Sequence, residues 1–285
     1  MNCLVTGGCG FIGSNLVELL LNNKHNVVSL DNYSTGTKDN EHPGCVYHDV
    51  DILNVDDFSK FGKFDVVFHL AAEVASIKFS YEQPLKTLNS NILGTLKICD
   101  FARKENVRVV YSSSCGVTDG SDSNIYAFSK SQAEQICQSY SNFFDISVAI
   151  VRFANVYGKK QRKSGPYASV ISIFNDCYDN DKPLTIRGTG KQTRDFIDVR
   201  DICVGLLEIS KSDWKADIFP LGTGKSHSIN QIADWYDTTT EYVPSMDGEV
   251  MTSSTNIDDI NLSKINFKSK YKIKNYIKQK IKENF

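Results

Sequence analysis

Leu4-Val5-Thr6-Gly7-Gly8-Cys9-Gly10-Phe11-Ile12-Gly13-Ser14 joins a short apolar strand to a helix through glycines spaced Gly-x-x-Gly-x-x-Gly. In that spacing Gly7 permits a tight turn, Gly10 lets the backbone approach a pyrophosphate, and Gly13 lets the helix lie against the strand. The helix opens at Phe11 and Ile12, so its first amides and the positive end of its dipole face bound phosphates. The stretch reads as a dinucleotide-binding turn.

The neighbouring elements strengthen that reading. A helix is expected over Ile12 to Asn23, then a second apolar strand, Asn26-Val27-Val28-Ser29-Leu30, closed by Asp31 eighteen residues past Gly13, with Asn32 next to it. A carboxylate at the end of the second strand accepts hydrogen bonds from an adenosine ribose diol and repels a 2′-phosphate, which points to NAD and away from NADP.

Strands and helices keep alternating through the first half, the pattern of a parallel sheet covered on both faces. Further strands are expected at Cys45 to Tyr47, Phe64 to Leu70, Val107 to Ser112 and Ile146 to Val151, with helices over Pro84 to Lys104 and Ile125 to Tyr140. The six strands make an α/β, Rossmann-type doubly wound sheet, in which ligands sit beyond the carboxyl ends of the strands. Those tips hold Gly7 to Gly13, Asp31, Asp49, Ala71-Ala72, Ser112 to Ser114 and Arg152 to Asn155. The alternation lapses beyond Gly158 into a basic loop (Lys159 to Lys163), a helix near Pro166 to Tyr178, a strand at Leu184 to Ile186 and a Gly188-Thr189-Gly190 segment. We therefore expect a nucleotide domain over residues 1–155, with a returning segment near 191–210, and a smaller C-terminal substrate-binding lobe over 156–285.

Tyr126-Ala127-Phe128-Ser129-Lys130 sets a phenol and an ammonium one turn apart on one helical face. A free tyrosine titrates near pH ~10. A nearby cation such as Lys130 or an oxidised nicotinamide favours the phenolate and lowers that value toward general-base range. Ser114, just past the fifth strand, can hydrogen-bond the same substrate hydroxyl.

Composition narrows the class. The chain of 285 residues has a net charge of -2, which gives no reason to expect a nucleic-acid partner. No apolar run reaches the roughly eighteen residues of a membrane span. The chain begins directly on the first strand, so a secretory leader is not expected and a cytoplasmic location is. Eight cysteines lie scattered without a Cys-x-x-Cys pair or a neighbouring histidine pattern, suggesting neither a metal site nor a disulfide framework. The lysine-rich stretch from Lys264 to Lys282 reads as a solvated terminal helix in preference to a basic arm, since arginine is absent from it.

Taken together, Thr6 to Ser14, Asp31-Asn32-Tyr33-Ser34-Thr35-Gly36, His69-Leu70-Ala71-Ala72, Ser112-Ser113-Ser114, Tyr126 to Lys130, Arg152 to Gly158 and Gly188 to Asp201 resemble the extended short-chain dehydrogenase/reductases, specifically the nucleotide-sugar 4-epimerases. The resemblance spans residues 1 to about 235 and is weak over the last fifty. It implies that Tyr126 is the base, that Lys130 tunes it and holds the nicotinamide ribose, and that Ser114 orients the sugar 4-hydroxyl. It further implies that Asp49 and Val50 border the adenine. Leu70, Ala71, Ala72 and Ser112 would bind the cofactor and Asn91 its nicotinamide end, while Ser76 would bind the substrate, with Asn155 and Arg194 at its diphosphate. An arginine fork suits a pyrophosphate. The implied reaction inverts C4 of a UDP-sugar through a transient 4-keto sugar with NAD regenerated, and the implied assembly is a homodimer built on the two long helices.

Three departures qualify it. Only eleven residues separate Ser114 from Tyr126, where the family usually has a longer loop. Cys115-Gly116 stands where dehydratases carry an Asp-Glu pair, and Met246-Asp247-Gly248-Glu249 replaces Arg-x-Gly-Asp/Glu, which usually adds a second diphosphate arginine. A nucleotide-sugar 4-ketoreductase or another sugar-nucleotide enzyme of this fold, and a non-catalytic nucleotide-binding relative, remain open at this level.

Overall fold

The computed structural model describes residues 1–73, 77–118, 124–163, 165, 168–245 and 251–283. The expected Ser76 and the 246–249 segment lie outside them. Strands β1 (Asn2–Thr6), β2 (Asn26–Asp31), β3 (Val46–Asp49), β4 (Val66–His69), β5 (Arg108–Ser114) and β6 (Val148–Phe153) are followed by a short β7 (Asn155–Tyr157), then β8 (Leu184–Arg187), β9 (Thr193–Asp198) and β10 (Lys215–Leu221). Seven of these form one parallel sheet in the order β10-β6-β5-β4-β1-β2-β3. The fold is the doubly wound one expected, with one more strand.

The seventh strand, β10, corrects the six-strand count. It lies at the edge beside β6, carries Pro220 opposite Arg152, and its register slips between Lys215 and Asp217. An internal proline removes a ladder donor and is tolerated on an edge, which is why the sequence pattern hides it.

Side chains of the central strands alternate between two cores, as period-two geometry requires. Cys3, Val5, Val110, Val151 and Phe153 face one layer, where α1 (Phe11–Asn22) and, later in the chain, a helix over Val199–Ile209 supply Leu16, Leu20, Ile202 and Leu206. Leu4, Leu30, Val109, Tyr111 and Ile150 face the other, against Ile98, Cys99, Ala133 and Cys137. A third core around Phe174, Ile186, Ile232 and Tyr236 builds the smaller lobe.

The helices of that second layer differ from the single expected span Pro84 to Lys104. After α2 (Ile77–Glu82) come α3 (Pro84–Leu88), a π-turn over Asn89–Leu93, and α4 (Gly94–Glu105). The wide turn carries one extra residue of helix and buries Asn91. Next comes α5 (Ile125–Phe144), whose start is fixed by Asn124, the side-chain oxygen of which accepts from the Ala127 amide at 2.8 Å. Tyr126 therefore sits in the first turn of α5.

Candidate active site

The carboxyl ends of the central strands enclose a cleft of about 520 Å³. Its floor is the glycine turn. Gly7 has φ +74°, and a Cβ there would stand 2.9 Å from the Ala71 amide nitrogen; a Cβ on Gly13 would lie 2.1 Å from the Gly7 carbonyl oxygen. Both positions admit only hydrogen. Gly10 caps α1 in an extended conformation and lines the cleft together with Phe11 and Ile12, so the unpartnered first amides of α1 open toward it.

Asp31 ends β2 at the edge of the cleft. Its Oδ2 accepts from the Cys9 amide and its Oδ1 from the Tyr33 amide, both at 2.8 Å. Burial raises its pKa above the ordinary carboxylate value, with those two amides pulling the other way. Asn32 lines the same wall and donates to Asp51 Oδ2 at 3.1 Å. Val50 belongs to the wall, whereas Asp49 is exposed at the end of β3 and outside it, its place taken by Asp51. A glycine cradle that a Cβ would fill, an open helix terminus and an acid ending β2 together fit a dinucleotide.

Across the cleft stand Leu70, Ala71 and Ala72 from the end of β4, Ser112, Ser113 and Ser114 from β5, and Tyr126 and Lys130 from α5. Ser114 Oγ accepts from the Gly116 amide at 3.1 Å and is the hydrogen-bonding neighbour that favours the Tyr126 phenolate. Lys130 is buried, donates to the Ser112 carbonyl oxygen at 2.8 Å and lies over the Tyr111 ring. Ser113 binds elsewhere, donating to Glu134 Oε1 at 2.5 Å, and Glu134 also takes the Arg152 guanidinium on both oxygens.

The geometry corrects the expectation that Lys130 lowers the Tyr126 pKa. Burial pushes the phenol up to about 12, and the Ser114 hydrogen bond is what pulls against that rise. Lys130 itself is brought down to about 8 by burial, with Cys137 and Glu134 opposing. One ammonium hydrogen goes to the Ser112 carbonyl, and desolvation is the largest influence on both groups.

Asn91 does not line the cleft. Its amide grips the Glu73 backbone, accepting from the Glu73 amide at 2.8 Å and donating to the Glu73 carbonyl at 3.2 Å, and it donates to Ser129 Oγ at 2.8 Å. Asn155 does line it, anchored by donation to the Asp195 carbonyl at 3.0 Å. Arg194 is half-buried on β9, donates to the Thr193 carbonyl and stands outside the lining. Of the acids near it in sequence, Asp195 receives the Thr223 and Gly224 amides and Asp198 pairs with Arg200.

Residues to which the sequence pattern gives no role also line the cleft. Glu73 is buried and forms an ion pair at 2.9 Å with Lys86. Arg162 and Gln161 come from the basic loop, and Asn89 and Ser90 from the π-turn. Their helical or loop spacing carries no signal, since only the fold brings them to one place. Cys115, where a dehydratase acid would stand, is a buried thiol against the Arg152 carbonyl and the Thr255 hydroxyl.

A Rossmann-type sheet whose cleft combines a glycine cradle, an acid at the end of the second strand and a serine-tyrosine-lysine group defines a dinucleotide-dependent class of α/β protein. The chain belongs to the NAD-dependent epimerase/dehydratase family, whose pattern it matches over residues 3–222. It is 36% identical over 247 residues to a putative UDP-glucose 4-epimerase of Methanocaldococcus jannaschii, covering 81% of this chain and 80% of that protein. It is 32% identical over 259 residues to a UDP-N-acetyl-alpha-D-glucosaminuronate decarboxylase of Bacillus cytotoxicus, covering 81% and 78%. Among solved structures, it resembles UDP-glucose 4-epimerase of Thermotoga maritima with UDP-glucose at a TM-score of 0.91 and 26% identity, over 99% of this chain and 98% of that one.

Proposed function

We propose that the protein inverts C4 of a UDP-sugar through a transient 4-keto sugar. The observation that carries this is the convergence of Ser114, Tyr126 and Lys130 on the cleft that holds the glycine cradle. In this reading Gly7, Gly10, Phe11, Ile12, Gly13, Asp31, Asn32 and Val50 hold NAD along its adenosine and diphosphate, and Ala71, Ala72, Ser112 and Lys130 hold its nicotinamide end. Bound NAD supplies a reversible hydride acceptor and a positive ring. Ser114 orients the C4 hydroxyl and Tyr126 Oη takes its proton; once the 4-keto sugar has turned and presents the opposite face of C4 to the nicotinamide side of the cleft, Tyr126 returns the proton to the same oxygen. The half-buried phenol, held at about 12 by desolvation, needs that extra positive charge to serve as a base. Asn155, from the lining, and Arg194, from the adjacent β9, are assigned to the substrate diphosphate, around which the 4-keto sugar turns.

The identity to a decarboxylase favours a second reading, in which the same C4 oxidation precedes loss of a carboxylate from a uronic sugar. Incubation with a panel of UDP-, dTDP-, CDP- and GDP-sugars, followed by proton NMR, separates the two. C4 inversion without lasting nicotinamide absorbance supports the first, carbon dioxide release from a uronate the second, and stoichiometric consumption of reduced cofactor a ketoreductase.

Apolar side chains left exposed on the helical layer point to a homodimer. Leu85 (74% exposed), Leu93, Phe128, Phe143 (78%) and Phe144 stand on α3 to α5 and the intervening π-turn, more than an isolated surface needs. Sedimentation at equilibrium reads the assembly directly. Among the described residues no helix is long and apolar enough to cross a membrane.

A further inference from the structure

His69 ends β4 and is buried, reaching neither solvent nor the lining of the cleft. Its ring lies between two threonine hydroxyls, with Nδ1 2.8 Å from Thr6 Oγ1 and Nε2 3.2 Å from Thr95 Oγ1. The protons can be placed by elimination. The Thr95 hydroxyl donates to the Asn91 carbonyl at 2.6 Å, so it can only accept from His69, and Nε2 carries the hydrogen. Thr6 Oγ1 accepts from the Ala71 amide at 3.2 Å and keeps its own proton for Nδ1.

The bonds then continue in one direction. Asn91 donates to Ser129 Oγ at 2.8 Å, and Ser129 donates to the Tyr126 carbonyl at 2.7 Å. A second arm leaves the His69 backbone, whose carbonyl accepts from Ser112 Oγ at 2.9 Å, while the Ser112 carbonyl holds Lys130.

We propose that His69 is a positioning residue: locked as the neutral Nε2–H tautomer, it fixes the distance between the NAD-binding edge at Thr6 and Ala71 and the first turn of α5, which carries Tyr126. The two ring nitrogens divide the task. Nδ1, as acceptor, holds the cofactor edge through Thr6; Nε2, as donor, holds the α5 side through Thr95 and Asn91. Burial supports the neutral form, pulling the imidazole down to about 3, with Lys130 as the cation that adds to the effect. A protonated ring would force Thr6 to accept twice and leave its hydroxyl hydrogen without a partner.

Two substitutions split the ring. Asn places its Oδ1 near the position of Nδ1, and Gln its Nε2 near that of the other nitrogen. His69→Asn should leave the dissociation constant for NAD within about threefold while lowering kcat about tenfold, and His69→Gln should weaken NAD about tenfold with kcat less affected. The kcat arm rests on the proposed C4 chemistry; NAD titration does not. Imidazole ¹⁵N NMR of the unsubstituted protein at neutral pH supplies a readout that needs neither turnover nor a folded variant, and should show His69 neutral with hydrogen on Nε2. An imidazolium, an Nδ1–H tautomer, or parallel loss of NAD affinity and kcat in both variants would overturn the assignment. If the native protein turns over no sugar, the proposed reaction fails while the tautomer and NAD arms still decide this one.

Discussion

Lys130 Nζ donates to the Ser112 carbonyl oxygen, a bond that carries a buried ammonium of α5 onto the tip of β5 beside the nucleotide cleft. A cation so placed costs stability, since burial lowers its pKa from 10.5 to about 8. Below about pH 8 both folded and unfolded chains hold the proton and the penalty is complete. Between about 8 and 10.5 the folded chain has released it first, so this group makes stability rise with pH. Lys130→Met should therefore abolish turnover yet stabilise the protein near neutrality by about 1 to 2 kcal/mol, after loss of the Ser112 hydrogen bond. Thermal melts of both proteins from pH 6 to 10 check it; a large loss of stability in the variant would contradict the sign.

Tyr126→Phe removes the phenol while leaving the first turn of α5, its Asn124 cap and the Ser129 bond to the backbone in place. Turnover should fall by about 10² to 10⁴ with NAD affinity unchanged. Ser114→Ala should give a smaller loss and move the pH profile of kcat to higher pH, because Ser114 is the neighbour that pulls the phenol down. Single-turnover rates across pH read both.

Asp31 gathers the Cys9 and Tyr33 amides and faces the cleft. Asp31→Asn should weaken NAD about tenfold and narrow the preference over NADP, as measured by calorimetric titration with each cofactor. Because burial raises this carboxyl, NAD affinity of the native chain should begin to fall on acidification at a higher pH than an exposed aspartate would dictate.

Gly13→Ala drives a methyl group to within 2.1 Å of the Gly7 carbonyl oxygen. Backbone cannot yield as a flexible side chain can, so NAD binding should be lost and stability should drop by about 3 kcal/mol or more. Denaturant melts and cofactor titration report the two losses.

Arg162 lines the cleft and Arg194 stands outside it on β9. If both assist the substrate diphosphate, Arg194→Ala raises KM for the nucleotide sugar about tenfold with little change in NAD affinity. A KM unaltered in that variant but raised in Arg162→Ala would move the diphosphate contact to the loop.

Much of this is legible in the chain itself. The glycine turn, Asp31 and the Tyr126–Lys130 spacing are local patterns, each complete within one strand-turn-helix or one helical face, and the structure sets them around one cleft. Relations across the fold are not legible in the same way. Strand β10 is masked by Pro220 and a register slip. Asn91, expected at the nicotinamide end, instead serves as a hub between Glu73 and Ser129 because a π-turn rotates it inward. The Tyr126 environment departs from expectation for a related reason: spacing reveals that an ammonium is near, and only packing reveals that it points at a carbonyl.

That π-turn sets a limit on how the molecule can be shortened. Removing a single residue between Asn89 and Leu93 would restore regular α-helix, ordinarily a local improvement, but would swing every side chain on one flank by about 100° relative to the other. Surface loops of this chain can lose a residue at little cost; this stretch counts its residues like the teeth of a gear.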